Sequence, residues 1–248
     1  MTDALIESIN KHVSSDVRIY IFDNSDKTPF VNKYENVTVF DNTTNKIINF
    51  NEILKNYPNR HKSFGRYSNF ASFKHCISVN KCFELINDNF ILLDSDVLLK
   101  KDISEIYDEK YIFTAEVRDW SWNISGIRGN QYPVYKRAMP FICFINVRKC
   151  HELNITFFDD KHMVGLYNPN INADSYDTGA WFFEQCKQYD YREIKYDDYI
   201  VHFGGGSYMY RGKVEKISQR EWLQKYSSLY TADKPANEMP HDNVIEQS

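Results

Sequence analysis

The chain lacks any apolar run approaching the ~20 residues that a membrane-crossing helix needs. It also lacks the basic-then-apolar N-terminal stretch of a secretory signal. No sign of charge dominates: 30 Lys and Arg stand against 34 Asp and Glu, a formal net charge of -4. A global basic field for nucleic acid is therefore excluded, and any anionic ligand must be held by a local site. The five cysteines (Cys76, Cys82, Cys143, Cys150, Cys186) show no C-x-x-C pairing of the kind a zinc site or disulfide framework uses. They read as reduced thiols of a cytoplasmic protein, a location compatible with a peripheral contact at the inner membrane face. No internal repeat and no long linker divides the 248 residues, so one domain is expected over residues 1–231. Residues 232–248, polar and carrying Pro235 and Pro240, read as a flexible tail.

What is present is a 42% hydrophobic, 16% aromatic chain with enough apolar material for a substantial core. Ala4, Leu5, Ile6 and Ile9 recur at helical spacing and predict a helix over Thr2 to His12, with Thr2 or Asp3 as its cap. β-Branched and aromatic runs predict strands at Val17 to Phe22, Asn36 to Phe40, Tyr111 to Glu116, Phe141 to Val147 and Tyr199 to Phe203. Helical periodicity covers about Tyr67 to Leu85, Gly179 to Gln188 and Gln219 to Tyr226. Strands alternating with helices predict an α/β domain.

The segment Asn89-Phe90-Ile91-Leu92-Leu93 is continuously apolar, the pattern of a strand buried on both faces, and it stops at Asp94-Ser95-Asp96. Two carboxylates one residue apart repel each other. A hard divalent cation relieves that repulsion and recruits phosphate oxygens, and the carboxyl ends of strands are where open α/β sheets bind ligands. Asp-Ser-Asp is also good turn chemistry.

The run Phe90-Ile91-Leu92-Leu93-Asp94-Ser95-Asp96-Val97 resembles the DxD segment of the GT-A nucleotide-sugar glycosyltransferases. Ile21-Phe22-Asp23-Asn24-Ser25 looks like that family's second strand, and Ser72-x-x-His75 is similar to a segment of some bacterial members. The resemblance implies a Rossmann-like GT-A domain with a mixed, mostly parallel central sheet. It also implies transfer of a sugar from a nucleotide diphosphate donor, uridine by family default, to a glycan or glycolipid hydroxyl in polysaccharide biosynthesis. It places Mn or Mg on Asp94 and Asp96, and the nucleotide against Asp23, Asn24, Asp94 and Ser95. His202, before Gly204-Gly205-Gly206-Ser207, resembles the late histidine that completes the metal site in many members.

Asp177, in Tyr176-Asp177-Thr178-Gly179-Ala180-Trp181, is similar in position to the base of inverting members, although the usual Glu-Asp dipeptide is absent. It is equally an N-cap for the following helix, and Asp174 is the reserve candidate for the base. Trp120, Trp122, Arg128, Tyr208 and Tyr210 are candidate acceptor platforms, and Lys62, Arg66 and Arg211 are candidate diphosphate partners. The family's first strand is expected ahead of a helix such as Thr2 to His12; either the sequence is an N-terminally shortened version of a longer product or another segment fills that slot.

Two other functions use the same residues. In a haloacid dehalogenase-like phosphatase, Asp94 would be the nucleophile and Asp197-Asp198 would hold magnesium. A non-catalytic nucleotide- or sugar-binding module would keep the site without the chemistry.

Overall fold

The computed structural model describes residues 1–14, 16–25, 28–55, 70–120, 135–158, 178–204 and 217–231. It is an α/β structure whose contacts group into two units. One comprises Met1–Ser14, Ser95–Asp102 and Ile200–Ser248, and the other Ser15–Asp94 and Ile103–Tyr199.

The first unit is built on a short antiparallel pair, β4 (Val97–Leu99) against β8 (Ile200–His202), with Val97 opposite His202. Val97, Leu98 and Leu99 are fully buried. Helix α1 (Thr2–His12) lies against β4 and places its apolar stripe, Ala4, Leu5, Ile6 and Ile9, inside. Ser8 is buried on the same face. Its hydroxyl donates to Leu5 O at 2.8 Å and accepts the Leu99 N–H at 3.2 Å, so a strand N–H without a ladder partner is satisfied by a helix side chain.

Thr2 and Asp3 do not cap α1. Met1 occupies the cap position with no side-chain hydrogen bond, because the helix starts one residue earlier than a Thr2 or Asp3 cap requires. Helix α6 (Gln219–Lys225) carries a full capping box, Ser218 with Glu221, and buries Trp222 against Ala4, Leu98 and Phe203. Burying an indole of this size contributes about 2–3 kcal/mol from apolar area alone.

The second unit holds two sheets. Strands β1 (Ile19–Asp23) and β2 (Val37–Asp41) form a parallel pair in which Asp23 faces Asp41. The larger sheet has the order β3-β6-β5-β7, formed by β3 (Phe90–Leu93), β6 (Tyr135–Ile145), β5 (Phe113–Trp120) and β7 (Arg192–Glu193). The β3/β6 and β6/β5 pairs are antiparallel, and only the short β5/β7 pair is parallel. The expected mostly parallel sheet is thus corrected to a mixed sheet whose longest ladders are antiparallel. Apolar content signals burial and is silent on strand direction.

Helix α3 (Phe70–Ile86) packs Cys76, Val79 and Phe83 into the core of this sheet with Phe113, Ala115 and Ile145. Phe90 to Leu93 are half-buried, not buried on both faces as expected, because β3 ends the four-strand order and has a single sheet neighbour. Helix α2 (Phe50–Lys55) precedes α3, and α4 (Val147–Glu152) is capped by Asn146, whose side chain accepts the Lys149 N–H.

The β5/β6 register steps from Ala115/Cys143 to Val117/Ala138, two residues on β5 but five on β6. Met139 to Ile142 therefore bow out of the β5 ladder, and Pro140 sits in that stretch, where its missing N–H removes no ladder bond. Helix α5 (Ala180–Cys186) starts against this bow at Gly179. All five cysteines are free thiols, and among the described residues no helix is long and apolar enough to cross a membrane.

Candidate metal centre

The β4/β8 register builds the centre. Asp96 immediately precedes β4, and its carbonyl accepts the Phe203 N–H at 2.9 Å, which extends the ladder one step beyond the Val97/His202 pair. His202, one residue before Phe203, reaches diagonally to Asp96: its Nε2 lies 3.1 Å from Asp96 Oδ1. Asp96 is only 8% exposed, and a carboxylate so far removed from water needs a proton, a cation or a hydrogen-bond donor. A neutral imidazole offers one donor or one acceptor at Nε2, so the same pair can switch from a hydrogen bond to shared ligation of a cation.

Asp94 ends β3 in the second unit, where its N–H donates to Phe141 O at 3.4 Å. Its carboxylate lies 3.7 Å from Nε2 of His75, a residue of α3. Ser95 alone separates it from Asp96 along the chain. Ser95 and Asp96 form a tight turn between β3 and β4, so the turn reading and the strand-end reading of Asp-Ser-Asp are both realised.

Asp23 and Asn24, the expected nucleotide contacts, organise their own loops. Asp23 accepts the N–H groups of Ser25 at 2.9 Å and Phe30 at 2.7 Å, one on each carboxylate oxygen. Asn24 donates to the Ser78 hydroxyl at 2.7 Å and accepts from Asn42 at 2.8 Å. Asn42 in turn is buried and accepts both the Ile47 and Ile48 N–H groups. The loops after β1 and β2 are thereby tied to each other and to α3 in a hydrogen-bonded chain.

The position of the base is not among the described residues: Asp177 and Asp174 lie outside them, as do Lys62, Arg66, Trp122, Arg128, Gly205, Gly206, Ser207, Tyr208, Tyr210 and Arg211, and the side chains of Ser72 and Trp120. The following helix starts at Ala180, with Gly179 in the cap position at φ +80°. Asp197 and Asp198, the magnesium ligands of the phosphatase alternative, sit in a 3-10 turn (Tyr196–Asp198) and join no candidate ligand group among the described residues.

Sequence reading missed a second cluster, on the larger sheet. Arg118 donates from Nε to Glu116, and its guanidinium carbon lies 4.9 Å from the Tyr196 ring centroid and 5.8 Å from that of Phe141. The predicted strand ended at Glu116, whereas β5 runs on to Trp120. Alternation of Glu116 and Arg118 beyond the apolar stretch was the available signal.

Comparison of the chain with protein-family models, curated proteins and solved structures yields no match.

Proposed function

We propose that the chain is a metal-dependent glycosyltransferase of GT-A type. It would move a sugar from a nucleoside diphosphate donor, a uridine one by default, to a hydroxyl of a glycan or glycolipid with inversion at the anomeric carbon. The observation that carries this reading is the approach of Asp96 and His202 across β4 and β8, one residue from Asp94 at the end of an apolar strand. Two carboxylates and one imidazole suit manganese or magnesium, with hard oxygen donors in the majority. A bound cation supplies positive charge beside the diphosphate, where negative charge grows as the glycosidic bond to the donor breaks.

The chain's own contribution on the acceptor side is a proton acceptor, assigned to Asp177. The acceptor hydroxyl oxygen bonds to the anomeric carbon, its proton passes to the Asp177 carboxylate, and the electron pair of the broken carbon–oxygen bond leaves with the nucleoside diphosphate. Asp23 and Asn24 hold the loops after β1 and β2 in place. Five free thiols fit a reducing, cytoplasmic location.

The phosphatase alternative is disfavoured by the position of Asp197 and Asp198. The two enzymes separate by product. Incubation with a uridine diphosphate sugar and manganese should release free sugar and nucleoside diphosphate slowly, and p-nitrophenyl phosphate should be left intact. Rapid hydrolysis of p-nitrophenyl phosphate, lost in Asp94→Asn, would favour the phosphatase instead.

A further inference from the structure

The Arg118 cluster has features of a prepared anion site. A guanidinium carries five N–H donors. Nε–H is committed to Glu116, and the guanidinium lies against the Tyr196 ring. Glu116 is itself fixed, because its other oxygen accepts the Tyr196 N–H at 2.9 Å. The Tyr196 and Phe141 rings pack edge to face on each other, 4.9 Å apart, and the cation lies beside both, while 43% of the Arg118 side chain stays exposed. Stacking on ring faces leaves the edge of a guanidinium open, and that edge matches a carboxylate or phosphoryl group two-pronged. The side chain is immobilised before any ligand arrives, so the ordering cost of binding is already met.

Arg137 is the cross-strand partner of Arg118, and residues directly opposite in an antiparallel pair project to one face. Arg118 and Arg137 are thus neighbours on that face, with Glu116 paired to Arg118. Burial raises the Tyr196 hydroxyl above its ordinary pKa, so it stays neutral and adds no negative charge.

The cluster is also well placed. Strands β3 and β5 both run antiparallel to β6, so they point the same way, and Leu92 and Ala115 share Cys143 as partner. Asp94 and Arg118 both lie beyond that level, two strand spacings or on the order of 10 Å apart. The Phe141 that supports Arg118 also accepts the Asp94 N–H.

We propose that Arg118 anchors a carboxylate or phosphoryl group carried by the sugar ligand, so that this chain handles an anionic sugar. That the ligand is a sugar rests on the transferase reading; that Arg118 takes an anion does not. The test is a titration of the full chain at low salt, without metal or nucleotide, so that it stands whatever becomes of the metal site. The side-chain Nε–H resonance of Arg118 is followed by NMR and assigned by its loss in Arg118→Lys. Glucuronate probes the carboxylate source, glucose 6-phosphate the phosphoryl source, and glucose is the neutral control.

A saturating shift with either anion and none with glucose is expected, and the anion that saturates at lower concentration names the source. Arg118→Gln should weaken that binding at least 10-fold, and Arg118→Lys should weaken it as well, because the charge remains but the fork is lost. An equal response to glucose, no response to either anion in the parent chain, or parent-like anion binding by Arg118→Gln would overturn the proposal.

Discussion

Substituting Gly179 should damage the fold more than any ordinary glycine change. Its φ of +80° lies in the left-handed region, and a Cβ added there would sit 2.0 Å from the Ala138 carbonyl oxygen. Relief of that overlap requires α5 or β6 to shift by about 1 Å or more to reach normal contact. The shift would strain the Ala138 N–H to Gly179 O bond, at 3.3 Å, and the bow of β6 beside it. The left-handed backbone costs an alanine roughly 1–2 kcal/mol and the overpacking roughly 1–3 kcal/mol, so Gly179→Ala should lose about 2–5 kcal/mol. For a chain of this size that corresponds to a fall in melting temperature of about 4–20 °C. Far-UV circular dichroism melts read it directly. Gly179→Asn separates the two causes, because Asn tolerates positive φ yet brings the same Cβ. If close approach dominates, Asn should be as destabilising as Ala. A Gly179→Ala melt within about 1 °C of the parent would refute the reasoning.

Three further outcomes are expected. Asn42→Ala strands two buried N–H groups, those of Ile47 and Ile48, and should cost about 2–4 kcal/mol by chemical denaturation; a loss under about 0.5 kcal/mol would contradict the loop-tying role. Burial pushes the Cys150 thiol up to about 12, and burial also raises Cys143 and Cys186. The unfolded chain releases those protons first, so stability is complete below the ordinary thiol pKa and falls as pH rises. The loss should reach about 1 kcal/mol per thiol between about pH 8.5 and 9.5, and Cys150→Ala should flatten that slope. Asp177→Asn should slow sugar transfer by ~10² to 10⁴ while leaving the melting temperature nearly unchanged, because Asn keeps the size and hydrogen-bonding ends of the side chain and loses only the proton acceptor. Parent-level turnover in Asp177→Asn at saturating substrates would remove the base assignment.

Local pattern was readable where one element decides it. The apolar stripe of α1 is in the sequence, and the predicted span, Thr2 to His12, is the observed one. The strand ending at Leu93 and the turn at Ser95–Asp96 were equally legible. Strand β4 was not, because three apolar residues straight after a turn have no period of their own, and their pairing with β8 depends on chain more than 100 residues away. Pairing direction in the larger sheet escaped for a related reason: apolar β6 residues such as Ile142 and Phe144 are buried in either orientation. Within the site, His202 was visible as a histidine at a strand end. Its pairing with Asp96 was expected only through the family resemblance, because the Val97/His202 register that brings the two together leaves no local pattern. The hydrogen bonds of Asp23 and Asn24 were not legible, because their partners include residues as distant as Phe30, Asn42 and Ser78.

In the proposed transferase, Asp96 and His202, with Asp94, would hold a divalent cation to which a nucleoside diphosphate binds. Calorimetric titration of uridine diphosphate into the parent chain, with manganese and then with chelator, tests it most directly. Manganese should tighten binding at least 10-fold, and Asp96→Asn and His202→Gln should each abolish that gain while retaining a cooperative melt. Equal affinity with chelator present, or an undiminished manganese effect in both variants, would contradict the account.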